Sequence, residues 1–254
     1  MDDGKLIRVE NLRGGYGDDL VLDDVSLSVK VGEIMVIVGR SGCGKSTLMR
    51  YLIGLARPWS GRVVFSGQDL WADPSVLDRA RKRWGVLFQS GALLASFNLM
   101  ENVSLPLVEL TRMSQEEMEL VARRKLEVVG LAHAAEDYPL SVSGGMQKRA
   151  ALARAMALDP EVLFFDEPSS GLDPITSHSL DLLIKRINRE LGTTMVIVTH
   201  ELPSVFAISD RVVMLDGEAK GVIAEGTAAQ LRDLSTDPRV KSFFNPEKSE
   251  QEEQ

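Results

Sequence analysis

The chemistry in this chain is concentrated in three short strings. Gly39-Arg40-Ser41-Gly42-Cys43-Gly44-Lys45-Ser46 satisfies the pattern G-x-x-x-x-G-K-[ST]. Its glycines let successive backbone N–H groups turn inward toward phosphate oxygens, and the helix that follows adds the positive end of its dipole. Lys45 would reach the β- and γ-phosphates, and the Ser46 hydroxyl would ligate Mg²⁺. Cys43, inside the loop, reads as a small filler and not as a nucleophile. The second string is Val162-Leu163-Phe164-Phe165-Asp166-Glu167, four apolar residues that run into two acids. That is the pattern of a buried strand ending at a wet site. Asp166 suits Mg²⁺ held through water, and Glu167 suits orienting and polarising an attacking water. The third is Ser143-Gly144-Gly145-Met146 at the start of a helical pattern. Two glycines permit close backbone approach there, and a hydroxyl at a helix start suits a second face of the γ-phosphate.

These strings need elements to hold them. Glu33–Val38 is a short β-branched run that suits a strand buried on both faces, and it launches the glycine loop. A helix pattern follows from Lys45 to about Leu55, closed by Pro58 and Gly61. Leu6–Leu12 alternates like an edge strand, and Leu22–Val29 repeats with period two. Gln115–Val129 has helical spacing, with Ser114 as N-cap and Gly130 as stop. Gly145–Leu158 is a second strong helix pattern. The stretch from about 90 to 159 therefore reads as a mostly helical insert. Buried strands return at Val162–Phe165, Met195–Val198 and Val212–Leu215, with a helix over Ile175–Leu191. Strand–helix–strand order implies a parallel sheet covered on both faces, an α/β fold.

Composition bounds the partners. The 254 residues are 44% apolar and 26% charged, with a formal net charge of −8. An acidic surface does not suit non-specific nucleic-acid binding, and Arg79–Arg83 reads as a solvated helix face. One cysteine allows no internal disulfide and fits a reducing compartment. No signal peptide is apparent, and no apolar run approaches the ~20 residues that span a bilayer. Any membrane role would come through a partner.

Val142-Ser143-Gly144-Gly145-Met146-Gln147 resembles the L-S-G-G-Q signature of ABC (ATP-binding cassette) ATPases, with Val142 for Leu and Met146 for Gln. The likeness extends over about residues 6 to 232. It implies a P-loop NTPase (RecA-like) core with an antiparallel β-subdomain and an inserted α-helical subdomain. That domain would occupy 1–244, the inserted helices about 90–159, and a flexible tail 245–254. It implies ATP hydrolysis with Mg²⁺ in a homodimer, each nucleotide held by the loop of one copy and Ser143, Gly144, Gly145, Met146 and Asp173 of the other. Gly39, Arg40, Ser41, Gly42, Cys43, Gly44, Lys45, Ser46 and Thr47 would bind phosphates. Tyr16 would stack on adenine, although alone it could equally be a turn tyrosine. Gln89 would join the Mg²⁺ site to a transmembrane partner and ligate the ion with Ser46 and Asp166. Glu167, His200 and Lys45 would be catalytic. His133 and His178 have no such context and read as surface residues.

Shorter strings refine the resemblance. Phe88–Leu93, the Ser-Gly-Gly-Met turn, Gly171–Thr176 and Asp237–Phe244 look like the ATPases of Mla/Mce-type phospholipid transporters of bacterial inner membranes. That group implies an integral-membrane, MlaE-like permease contacted near Gln89–Met100, a substrate-binding protein reached through the complex, and a place on the cytoplasmic membrane face. Phe243 and Phe244 would pack on the sister subunit. Three other readings stay open. These are an ABC transporter of different cargo such as amino acids or lipoproteins, a soluble cassette ATPase acting on DNA or ribosomes, and a P-loop kinase of small molecules. The second usually carries coiled-coil inserts or tandem cassettes, absent here, and Ser143–Met146 with His200 disfavours the third.

Overall fold

A computed structural model describes residues 4–245. The expected tail lies, from residue 246 onward, outside the described residues. The chain divides into two compact units, Met1–Leu77 with Thr194–Gln254, and Asp78–Thr193.

The first unit opens with β1 (Lys5–Tyr16) and β2 (Asp19–Lys30), followed by β3 (Ile34–Val38), α1 (Lys45–Leu52), β4 (Ser60–Phe65) and β5 (Gln68–Asp69). α2 (Pro74–Arg81) leads toward the second unit. β1 pairs antiparallel with β2 on one side and β4 on the other, so it is interior to its sheet and not the edge strand its alternation suggested. Alternation records which face is buried, whereas a strand's neighbours depend on segments farther along the chain. All five residues of β3 are buried. Burying side chains of this size stabilises a fold by about 1.5–3 kcal/mol each.

The second unit holds β6 (Trp84–Leu87), α3 (Leu99–Leu110), α4 (Gln115–Val128), α5 (Gly144–Ala155), β7 (Val162–Asp166) and α6 (Pro174–Leu191). Residues 90–159 lie within this unit, which runs past them on both sides. β6 and β7 pair in parallel, Trp84 opposite Val162 and Leu87 opposite Phe165. Arg83 fastens their entry with a two-pronged ion pair to Glu161, at 2.5 and 2.7 Å. α3 begins with a reciprocal cap, Asn98 accepting from the Glu101 N–H while Glu101 accepts from the Asn98 N–H. Pro106 sits inside that helix and weakens its sequence signal. α4 has the same reciprocal cap from Ser114 and Glu117.

The chain then returns to the first unit with β8 (Thr194–Val198), α7 (Leu202–Ile208), β9 (Arg211–Asp216), β10 (Gly221–Gly226), α8 (Ala228–Leu234) and α9 (Pro238–Phe244). β3 lies parallel between β8 and β9, with β10 antiparallel outside β9. Arg211 locks the start of this group, pairing with Glu33 at 2.5 Å and Glu225 at 2.7 Å. Phe244 is 4% exposed and stands edge-on to Phe206, with ring centroids 6.1 Å apart. The ring expected on a sister subunit is thus buried within its own chain. Among the described residues no helix is long and apolar enough to cross a membrane.

Candidate functional site

The glycine loop leaves the carboxyl end of β3, where ligands of open α/β sheets gather. Gly39 has φ 149°, and a Cβ there would stand 2.4 Å from the Leu215 carbonyl oxygen. Gly44 has φ 104° and occupies the N-cap of α1 with no side chain to cap it. The first N–H groups of α1 therefore keep their donors for an anion. Lys45 is only 9% exposed. Its ammonium donates to the loop's own carbonyls, Gly39 at 2.8 Å and Arg40 at 3.1 Å, and among the described residues no carboxylate pairs with it. A buried cation on neutral acceptors is poised for negative charge. Ser41, Gly42 and Ser46 are exposed along the loop, while Cys43 is buried. Burial pushes the Cys43 thiol up, against the pull of Lys45, which suits a filler better than a nucleophile.

Tyr16 ends β1 with its ring half exposed. Its hydroxyl accepts from Thr47 Oγ1 and Arg50 Nη1, both at 3.1 Å, and the Arg50 guanidinium lies 5.7 Å from the ring centroid. These groups with Gly15, Tyr51 and Leu55 line a cavity of about 430 Å³. Sequence reading missed Arg50. Its three-residue spacing from Thr47 on α1 was the available signal. His200 is exposed just beyond β8, and the Thr199 N–H donates to Ile37 of β3 at 3.2 Å. The histidine and the glycine loop thus leave neighbouring parallel strands at the same end.

The second unit gathers the acids. Asp166 ends β7 and Glu167 follows with φ 49°, both half-buried. A left-handed glutamate costs energy, and such strain collects at functional positions. Gln89 follows β6, the parallel neighbour of β7. Its side-chain amide donates to Ser170 Oγ at 3.1 Å, and its carbonyl accepts from the buried Lys148 of α5. Lys148, 59 residues away, carried no sequence signal.

Ser143 is the N-cap of α5, its hydroxyl accepting from the Met146 N–H at 3.3 Å. Gly144 and Gly145 form the first turn, and a Cβ on Gly145 would lie 2.5 Å from the Thr176 methyl. Gly145 is therefore required by packing against α6. Asp173 caps α6, accepting from the Ile175 and Thr176 N–H groups at 3.1 and 3.0 Å and from Thr176 Oγ1 at 2.5 Å. Those bonds, the Thr176 hydroxyl foremost, hold its carboxyl below the usual range. Thr176 so connects the Ser143 turn with the Asp173 turn. His133 and His178 are exposed.

Ser46 in the first unit, and Gln89 and Asp166 in the second, each carry a side-chain oxygen, the hard donor type that suits Mg²⁺. Among the described residues no three His, Cys, Asp or Glu gather to hold a metal alone.

Comparison with known proteins follows this chemistry. A model of the ABC transporter family matches residues 22–170. The chain is 42% identical over 243 residues to the intermembrane phospholipid transport system ATP-binding protein MlaF of Haemophilus influenzae, covering 95% of this chain and 91% of that protein. It is 46% identical over 214 residues to the methionine import ATP-binding protein MetN of Cupriavidus metallidurans, covering 84% of this chain and 61% of that protein. Among solved structures, the dimeric post-hydrolysis state of the ATP-binding cassette MJ0796, bound to ADP and Pi, superposes with a TM-score of 0.78. It is 32% identical and the match covers 87% of this chain and 98% of that one.

Proposed function

The chain belongs to the ABC transporter family as an ATP-binding and ATP-hydrolysing cassette, and on that premise we propose that it drives phospholipid transport between bacterial membranes as a homodimer. The supporting observation for the cargo is the extent of the MlaF likeness, which runs almost end to end in both chains. The MetN likeness stops at 61% of that protein.

In this reading ATP lies on the glycine loop, its base against Tyr16 and its phosphates on the N–H groups of residues 39–47 and on Lys45. Ser143–Met146 and Asp173 of a second copy close the other side. Glu167 orients the attacking water and takes up its proton, while Lys45 and His200 balance charge on the transferred phosphoryl group. Mg²⁺, held by Ser46, Gln89 and Asp166, would neutralise charge on the β- and γ-oxygens. Loss of the γ-phosphate removes the anion that both copies grip, so the seam loosens.

A permease would dock beside Gln89–Met100, placing the cassette at the cytoplasmic face of an inner membrane. A groove of about 490 Å³ supports this, its lining mixing apolar Phe97, Met100 and Val108 with the acids Glu101, Glu119 and Glu136. Val108 is 56% exposed, an apolar side chain without cover in the chain. A substrate-binding protein would join through that permease.

The test is purification of the tagged chain from its native membranes, followed by reconstitution. The expected result is a co-purifying polytopic protein and ATP-dependent transfer of labelled phospholipid between vesicles. Methionine uptake without phospholipid transfer would overturn the cargo assignment.

A further inference from the structure

The glycine loop has a neighbour that lies outside the nucleotide motifs: α9, of the same compact unit. Arg40, exposed on the loop, donates from Nη2 to Ser242 Oγ at 3.0 Å. The Arg40 carbonyl in turn accepts from Lys45 Nζ. Ser242 and Lys45 therefore both engage Arg40, one at its guanidinium and the other at its backbone carbonyl. The end of β9 also backs the loop. Leu215 presents its carbonyl to Gly39, and a Cβ on Gly217 would stand 3.6 Å from Cys43 Cα. Asp216, between them, pairs with Arg239 at 2.8 Å. Arg239 also pairs with Asp237 at 2.7 Å, the N-cap of α9, and draws that carboxyl down to about 2. α9 is seated by the buried Val240 and by Phe244 against Phe206, on the helix that follows His200.

We propose that Ser242 and Arg239 are positioning residues for ATP, holding the glycine loop in its binding geometry from the carboxy-terminal helix. A glycine-rich loop has much conformational freedom to lose on binding, and restraining it beforehand lowers that cost. Ser242 acts through Arg40 on the carbonyl that holds Lys45. Arg239 acts through Asp216 on the wall behind Gly39 and Cys43. Coupling of this kind is reciprocal, so bound ATP tightens α9 by the same factor. The inference rests on the loop being the ATP site.

The experiment measures ATP affinity by calorimetry and steady-state turnover on the full chain. Ser242→Ala should weaken ATP binding about three- to tenfold, the range of one ordinary intramolecular hydrogen bond, with kcat at saturating ATP within about twofold. Ser242→Thr, which keeps the hydroxyl, should bind as wild type. Combining Ser242→Ala with Arg40→Ala should cost no more than Arg40→Ala alone. Amide exchange across 238–244 should slow when ATP is added. Unchanged affinity in Ser242→Ala, an equal loss in Ser242→Thr, or losses that multiply in the double variant would each overturn the proposal. Lys45→Ala separates the two readings. If it binds ATP normally, the loop assignment itself fails. If it loses ATP while Ser242→Ala does not, only the role of α9 fails.

Discussion

Glu167 illustrates what one residue contributes. Its φ of 49° turns the chain directly after β7, and successive side chains at a strand end already point to opposite faces. Asp166 and Glu167 can then take different tasks, one for an ion and one for water. Glu167→Gln keeps the shape and removes the base. It should retain ATP binding and lower turnover by roughly 100- to 10,000-fold, the usual contribution of a general base. Phosphate-release assays beside a nucleotide-binding titration check this, and near-normal turnover would dismiss Glu167 as the base. The acid pair was legible because four buried apolar residues precede it. The strained φ was not, since glutamate carries no mark of a left-handed conformation.

At the scale of elements, helix starts do much of the positioning. α1 leaves its cap open to an anion, whereas α5 and α6 use Ser143 and Asp173 to cap themselves. The segment between Gln89 and α3 depends on Asn102, which is fully buried. Its side chain accepts from the Leu94 N–H at 2.8 Å and donates to the carbonyls of Leu94, Phe97 and Asn98 at 2.9–3.0 Å. Asn102→Ala would leave those buried groups unpaired, costing about 3 kcal/mol. The unfolding midpoint should fall by roughly 6–12 °C, at ~2–4 °C per kcal/mol for a chain of this size. Amide exchange at 91–98 should rise before the rest of the second unit. An unchanged midpoint would show that Asn102 does not hold this segment. Nothing in the sequence singled out Asn102, because an asparagine between apolar residues declares its partners only once the loop folds over it.

For the whole molecule the proposed mechanism turns on the pairing of two copies. One glycine loop supplies one set of phosphate donors, and the Ser143 turn of a second copy would supply the other. Glu167→Gln with ATP and Mg²⁺ should therefore double its mass in light scattering. Adding Ser143→Arg should return it to the monomer, because the long cation occupies the space of the γ-phosphate. A dimer that persists in the double variant would remove Ser143 from the seam.

Local chemistry was written in the sequence. The glycine loop, the apolar run into Asp166 and Glu167, and the Ser143 helix start are contiguous strings whose proposed roles follow from backbone freedom, donor type and dipole direction. The buried strands read over Glu33–Val38 and Met195–Val198 were equally plain, since burial on both faces demands unbroken apolar residues. The tertiary structure alone decided the long-range partners. It made β1 interior, set Lys148 on the carbonyl of Gln89, laid Thr176 against Gly145 and brought Ser242 to Arg40. Each of those contacts joins residues far apart in the chain. Their energies depend on distances that no spacing or composition encodes.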